Sequence, residues 1–194
     1  MLVRHGRGWC NDVGVIGGRR GCRGLSEAGR RESRHVAERL AELAAARPFD
    51  ALLSSPRLRV LECAQIIGER LGTPVTVVDR LRGQEFGTAD GTSWRQATAD
   101  FGGPPVDDPD RPIADGAEPW NAYADRVLGV LGEILAEHSG RRICVVAHGK
   151  TSGLAAALLT GAVDPRKEAP ALVIDHGTLA VWHRDGAGWH QHTG

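Results

Sequence analysis

Three places in the chain set cationic or nucleophilic side chains directly after short apolar runs. Leu2-Val3 runs into Arg4-His5-Gly6, Leu53 into Ser54-Ser55-Pro56-Arg57-Leu58-Arg59, and Val146-Ala147 into His148-Gly149-Lys150. A guanidinium beside an imidazole at the mouth of a buried strand loses hydration, and a bound anion offsets that loss. A neutral imidazole is a nucleophile near pH 7, and arginine grips oxygen-rich anions bidentately. Taken alone, each tripeptide also reads as a basic pair on the surface. The choice depends on whether the elements that carry them deliver them to one point.

Those elements are short apolar runs alternating with helical patterns. Strands are expected at Leu2-Val3, Ala51-Leu53, Val75-Val78, Ile143-Ala147, Leu172-Ile174 and Leu179-His183. Ser26 is a helix N-cap candidate, followed by Val36, Leu40 and Leu43 at helical spacing. Val60, Ala64, Ile67 and Leu71 repeat that spacing up to Gly72. Tyr123, Val127, Val130 and Ile134 mark a third helix, and a fourth runs from near Thr151 to Gly161. The C-terminal segment reads as two strands around an Asp-Gly turn. Strands alternating with helices predict an α/β layered fold with a mostly parallel sheet. Parallel strands deliver their C-terminal ends to one edge, where open α/β sheets bind ligands. His5, His148 and at least one arginine are therefore expected in one crevice. Helix N-termini after Ser55 and Gly149 add N–H groups to it. The expected ligand is a phosphate.

Composition narrows the classes. At 194 residues one domain is expected, covering 1–194. Residues 87–119 are rich in Gly, Pro and Asp and are expected to form a long ordered loop beside the site. Acidic and basic residues balance at 24 each, which gives no general field for nucleic acid or a membrane surface. No apolar run reaches the roughly 20 residues of a membrane span, and because the first residues read as a strand no signal peptide is expected. Cys10, Cys22, Cys63 and Cys144 show no pairing pattern, so free thiols and a cytoplasmic location are expected. Nearly every base is arginine, since Lys150 and Lys167 are the only lysines.

The chain resembles the histidine phosphatase superfamily, which includes the cofactor-dependent phosphoglycerate mutases. The resemblance rests on LVRHG at 2–6, Trp9 and Asn11, GLSEAGRR at 24–31, SSPRLRVLECA at 54–64, LRGQEFG at 81–87 and VAHGK at 146–150, in family order. It implies a three-layer α/β/α sandwich and a phosphatase that acts on a small phosphorylated metabolite. In that mechanism His5 becomes a phosphohistidine, while Arg4, Arg59 and His148 hold the phosphoryl oxygens. Asn11 and Gly149 complete the phosphate site. Arg57 is expected to face solvent. No metal and no cofactor are expected, and neither are nucleic-acid or membrane partners; the chain is expected to be a monomer or homodimer. The remaining histidines (His35, His138, His176, His183, His190 and His192) show no ligand spacing.

Three departures from the family pattern stand out. The family's acidic glutamate, which protonates the leaving oxygen, falls at Gly83 here. Glu85 lies on the same face of an extended backbone about 7 Å away and is the candidate replacement, with Asp90 next; Glu85 reads equally well as a surface carboxylate. Arg19, Arg20 and Arg23 occupy a loop expected near the phosphate, either contacting a further anionic group or solvated. Arg7 stands where many relatives carry glutamate. Two alternatives to hydrolysis follow: mutase-like phosphoryl transfer, or, because of Gly83, a catalytically impaired or repurposed phosphate-ligand-binding protein.

Overall fold

The computed structural model describes residues 1–105 and 107–192; position 106, inside the expected loop, and positions 193–194 lie outside them. The chain runs β1 (Leu2–Arg4), α1 (Trp9–Asp12), α2 (Glu27–Ala44), β2 (Ala51–Ser54), α3 (Leu58–Leu71), β3 (Val75–Val77), α4 (Trp94–Phe101), α5 (Trp120–Glu137), β4 (Ile143–Ala147), α6 (Gly149–Leu159), α7 (Pro165–Glu168), β5 (Leu179–Asp185) and β6 (Gly188–His192). One six-stranded sheet has the order β3-β2-β4-β1-β5-β6. β3, β2, β4 and β1 are parallel, and the β5–β6 hairpin closes the β1 edge antiparallel.

Strand alternation builds the layers, because successive side chains leave opposite faces. Val3, Leu52, Cys144 and Val146 point to one face, where Val36 and Leu40 of α2 and Val60, Ala64 and Ile67 of α3 cover them. Leu2, Leu53, Val145 and Ala147 point to the other face, where Tyr123, Val127 and Ile134 of α5 and Leu154 of α6 cover them. The result is a helix–sheet–helix sandwich in which the parallel strands β1, β2 and β4 are largely buried and the edge strand β3 is exposed. Ser26 caps α2 by accepting from the Gly29 N–H, and Gly72 ends α3 in the left-handed conformation at φ 63°.

Strand order is what positions the site. β4 inserts between β1 and β2, with Arg4 paired to Ala147 and Ser54 to Val146. Of the residues that follow, His5 and His148 therefore emerge side by side at one rung, with Ser55 one residue short of them on the adjacent strand.

Two expectations are corrected. Leu172–Ile174 is not a strand: Ala169–Leu172 is a 3-10 turn, and Pro170 has no N–H to give a ladder. The backbone of Ile174 is instead held by side chains, its N–H donating to Ser152 Oγ and its carbonyl accepting from Arg4. The segment 87–119 is not one long loop. It carries a 3-10 turn at Gly87–Ala89 and helix α4, and its own small core of Ile16, Ala89, Ala97, Ile113 and Ala114. Few apolar residues suffice there because alanines pack closely, so the pattern reads as loop.

α2 reaches the site because two backbones touch without side chains between them. A Cβ on Gly6 would lie 2.2 Å from the Gly29 carbonyl oxygen, and one on Gly29 would lie 1.9 Å from the Arg7 carbonyl oxygen. In an open helix position Gly→Ala is expected to stabilise by about 0.5–1 kcal/mol, and Gly132 of α5, with nothing within 4 Å, is such a position. Gly29→Ala instead forces backbone apart and should destabilise by about 1–3 kcal/mol. Denaturant midpoints of the two variants check this: opposite signs are expected, and a stabilising Gly29→Ala would contradict the packing.

Candidate active site

Arg59, in the first turn of α3, stands at the centre of the crevice. Its Nε donates to His5 Nε2 at 3.1 Å, its Nη1 to the Gly17 carbonyl at 2.7 Å, and its Nη2 to His148 Nδ1 at 3.3 Å. Arginine has no acceptor, so both imidazoles present lone pairs to it. The other nitrogen of each ring then carries the proton. His5 Nδ1–H donates to the Gly6 carbonyl at 2.6 Å, and His148 Nε2–H donates to Ser55 Oγ at 2.8 Å. The two rings meet edge to face with centroids 5.6 Å apart.

Electrostatics keep these rings neutral. Burial pushes His5 well below the ordinary histidine range, and Arg59, His176 and Arg4 push in the same direction. Burial, then Arg59 and His5, do the same to His148. An imidazole that is neutral, with its proton on Nδ1 and its lone pair on Nε2, has a nucleophile's form. The site is cationic without it.

Arg4 closes the other side. Its Nη1 donates to the Ile174 carbonyl at 2.7 Å and its Nη2 to His176 Nε2 at 2.8 Å, while its Nε is buried with no hydrogen-bond partner among the described residues. The guanidinium lies on the backbone of Gly149, where a Cβ would come within 2.9 Å of its Cζ. Gly149 also opens α6, whose first N–H groups lack intrahelical partners. Asn11 sits in the short α1 with its Oδ1 accepting from the Gly8 N–H at 2.9 Å, so its amide nitrogen is the end left to face a ligand.

The structure thus brings together Arg4, His5, Arg59, His148, Gly149 and Asn11 from three strand ends and α1. Gly83 belongs to the same place: a Cβ there would meet the His148 ring at 3.1–3.3 Å. Glu85 is half-buried, with Oε1 2.5 Å from Arg57 Nη2 and 3.5 Å from Arg82 Nε. The Arg57 approach is a close charge contact rather than a directed hydrogen bond, and Arg57 Nε and Nη2 hydrogen-bond to nothing among the described residues.

Arg57 was expected at the surface and is only 7% exposed. It is the N-cap residue of α3 in extended conformation, so the chain turns between it and Arg59 and both side chains point inward. Asp90 was expected as a reserve acid, yet its Oδ1 accepts from the N–H groups of Gly18 and Gly21 and its Oδ2 from that of Arg20. It organises that loop instead. Arg20 bonds the Gly87 carbonyl, Arg23 lies 4.3 Å over the Trp9 ring, and Arg19 is exposed. Arg7 pairs with Asp12 at 2.9 Å. His176 escaped sequence reasoning altogether: its ring lies 5.5 Å from that of His5, and burial and Arg4 lower its pKa to about 4. Nothing in the sequence spacing signals it. Among the described residues no His/Cys/Asp/Glu cluster could hold a metal, and no helix is long and apolar enough to cross a membrane.

Known proteins are similar to this chain in sequence and in fold. The Histidine phosphatase superfamily (branch 1) matches residues 1–193. The uncharacterized phosphatase PhoE of Bacillus subtilis is 25% identical over 177 residues, 89% of this chain and 82% of that protein. The metal-independent phosphoserine phosphatase of Arabidopsis thaliana is 30% identical over 158 residues, 77% of this chain and 63% of its own, longer chain. The crystal structure of the α-ribazole phosphatase from Shigella flexneri superposes with a TM-score of 0.82 at 20% identity, over 97% of this chain and 91% of that one. With its strand order, its paired imidazoles and a match along nearly its whole length, the chain belongs to branch 1 of the histidine phosphatase superfamily.

Proposed function

We propose that the protein is a phosphomonoesterase that cleaves small phosphorylated metabolites through a phosphohistidine at His5. The observation that carries this is the fixed tautomer of His5, with Nδ1–H on the Gly6 carbonyl and a lone pair on Nε2 in a cationic, buried crevice. Nε2 attacks phosphorus, the P–N bond forms and the bond to the leaving oxygen breaks. Water then attacks the phosphoryl group and returns the electron pair to Nε2. Arg4, Arg59 and His148 hold the three phosphoryl oxygens, assisted by the Asn11 amide and the Gly149 N–H. Arg59 donates to His5 in the ligand-free site, so an entering phosphate takes over a donor already aimed at the reacting atom. Phosphate-releasing relatives, among them the phosphoserine phosphatase, support hydrolysis over transfer back to the substrate.

The reading is tested by screening phosphorylated metabolites for release of inorganic phosphate. His5→Ala should abolish turnover, and Arg59→Ala should lower kcat about a hundredfold or more. Phosphate release by His5→Ala at the wild-type rate would overturn it.

The leaving oxygen needs a proton. We assign that duty to Glu85, whose Oε1 is held by Arg57 and Arg82; as substrate binding loosens those contacts the carboxyl takes up a proton from solvent, which it then passes to the leaving oxygen. A positioned acid contributes about 10²–10⁴-fold for a poor leaving group and little for a good one. Glu85→Gln should therefore depress hydrolysis of alkyl phosphates by that order and spare p-nitrophenyl phosphate. Equal rates for wild type and variant on both esters would remove Glu85 from the mechanism.

A further inference from the structure

A cavity of about 810 Å³ opens beside the crevice, and the chain segments that wall it are continuous with the phosphate site. Gln84 follows Gly83, which lies on the His148 ring, and Lys150 follows Gly149, which lies on Arg4. Val173 touches both places, lining the cavity and packing 3.1 Å from where a Cβ of Gly149 would stand. Phe86, Trp94 and Trp120 give the walls their aromatic faces, with Phe86 and Trp94 in edge-to-face contact at 5.9 Å, and prolines and charged residues complete the lining.

Lys150 is a solvent-exposed cation of this wall, placed where it can meet a ligand that enters the cavity. Its ammonium stands 5.8 Å from the Phe86 ring centre and 5.7 Å from that of Trp120. Its polar contact is the neutral Gln84 Oε1 at 2.5 Å, and the Gln84 amide is oriented for that contact because its Nε2 donates to the Glu118 carbonyl at 2.7 Å. Of the other cations that line the cavity, Arg166 pairs with Asp125 and Lys167 with Asp164, whereas among the described residues neither Lys150 nor Arg111 has a carboxylate within ion-pair distance. The packed aromatic surroundings lower its pKa to about 8, while the residue as a whole stays exposed to solvent. Aromatic faces attract a cation but return only part of the hydration that it gives up. An anion supplied by the ligand completes the site.

We propose that Lys150, framed by Phe86 and Trp120, is the specificity determinant of a subsite that recognises a second anionic group on the alcohol side of the phosphate ester. The substrate class is then a phosphomonoester with a planar or apolar body and a carboxylate or comparable anion beyond it. The body lies on the aromatic walls, and the anion pairs with Lys150 in place of Gln84. This rests on the phosphatase reading for the position of the phosphate, but the subsite is a separate claim about binding.

The test compares phenyl phosphate with its 3- and 4-carboxyphenyl analogues. Wild type should prefer at least one carboxylate ester. Lys150→Met should lower that preference, measured as the ratio of kcat/KM values, about tenfold or more, the scale of a lost charge-assisted hydrogen bond. Taking the ratio within each variant cancels differences in leaving-group reactivity. Lys150→Arg, which keeps the charge, should retain the preference. An unchanged ratio in Lys150→Met, or equal loss on all three esters, would overturn the proposal. If wild type releases phosphate from none of them, the phosphatase reading is what fails, and calorimetric titration with the same esters still decides the subsite. Tighter binding of a carboxylate ester that Lys150→Met abolishes supports it, and the absence of any such difference overturns it.

Discussion

Arginine can only donate hydrogen bonds, and in this protein one arginine faces two buried imidazoles. That asymmetry governs the site. Arg59 forces a lone pair onto Nε2 of His5 and onto Nδ1 of His148, while Gly6 and Ser55 receive the protons at the opposite edges. Neither ring can take a second proton without facing a guanidinium at hydrogen-bond distance in a desolvated pocket, so both stay neutral. The positive charge of the crevice therefore resides in the guanidinium groups of Arg4, Arg57 and Arg59, and the nucleophile is kept in its reactive form by the same groups that attract the anion. Among the described residues, Glu85 on the Arg57 side is the carboxylate within ion-pair distance of this cluster.

The fold serves that arrangement through two devices. The insertion of β4 between β1 and β2 brings the ends of three strands together at one edge of the sheet, which sets His5, His148 and the approach to Arg59 side by side. Glycines then let the groups lie flat on backbone. Gly149 supports the Arg4 guanidinium and Gly83 the His148 ring, while Gly6 against Gly29 draws α2 up to the loop after β1. Absence of a side chain at position 83 has a chemical consequence as well as a steric one. It leaves the His148 ring covered by backbone and shifts the question of the leaving-group proton to Glu85, two residues away.

Much of this was readable from the chain because buried parallel strands are monotonously apolar. Arg4-His5 and His148 break that pattern abruptly at strand ends, and a parallel sheet has only one edge at which such ends can meet. The sandwich, its helices and the meeting of His5 with His148 and at least one arginine follow from periodicity plus that rule, while the choice of Arg59 comes from the family resemblance. What the sequence did not disclose depends on conformation outside regular elements. Arg57 and Arg59 are two residues apart, a spacing that separates faces on a helix, but Arg57 is extended before the helix starts, so it is buried too. His176 lies 172 positions from Arg4, in the turn that leads into the antiparallel return strand, and only the folded chain places its ring on Arg4. Asp90 looks like any loop acid until three backbone N–H groups are seen converging on it. Helix α4 is hidden because its buried contribution is a single alanine, Ala97.

The central claim is that Nε2 of His5, and no other atom, carries the phosphoryl group. It is tested most directly by mixing the protein with p-nitrophenyl phosphate, quenching in alkali within the first turnovers and examining the adduct by peptide mass spectrometry and ³¹P NMR, which distinguishes the two phosphohistidine isomers. The account predicts an acid-labile phosphoryl group on His5 with the phosphorus on Nε2, since Nδ1 is committed to the Gly6 carbonyl. Phosphate release with the adduct on Nδ1, on another residue, or on none would contradict it.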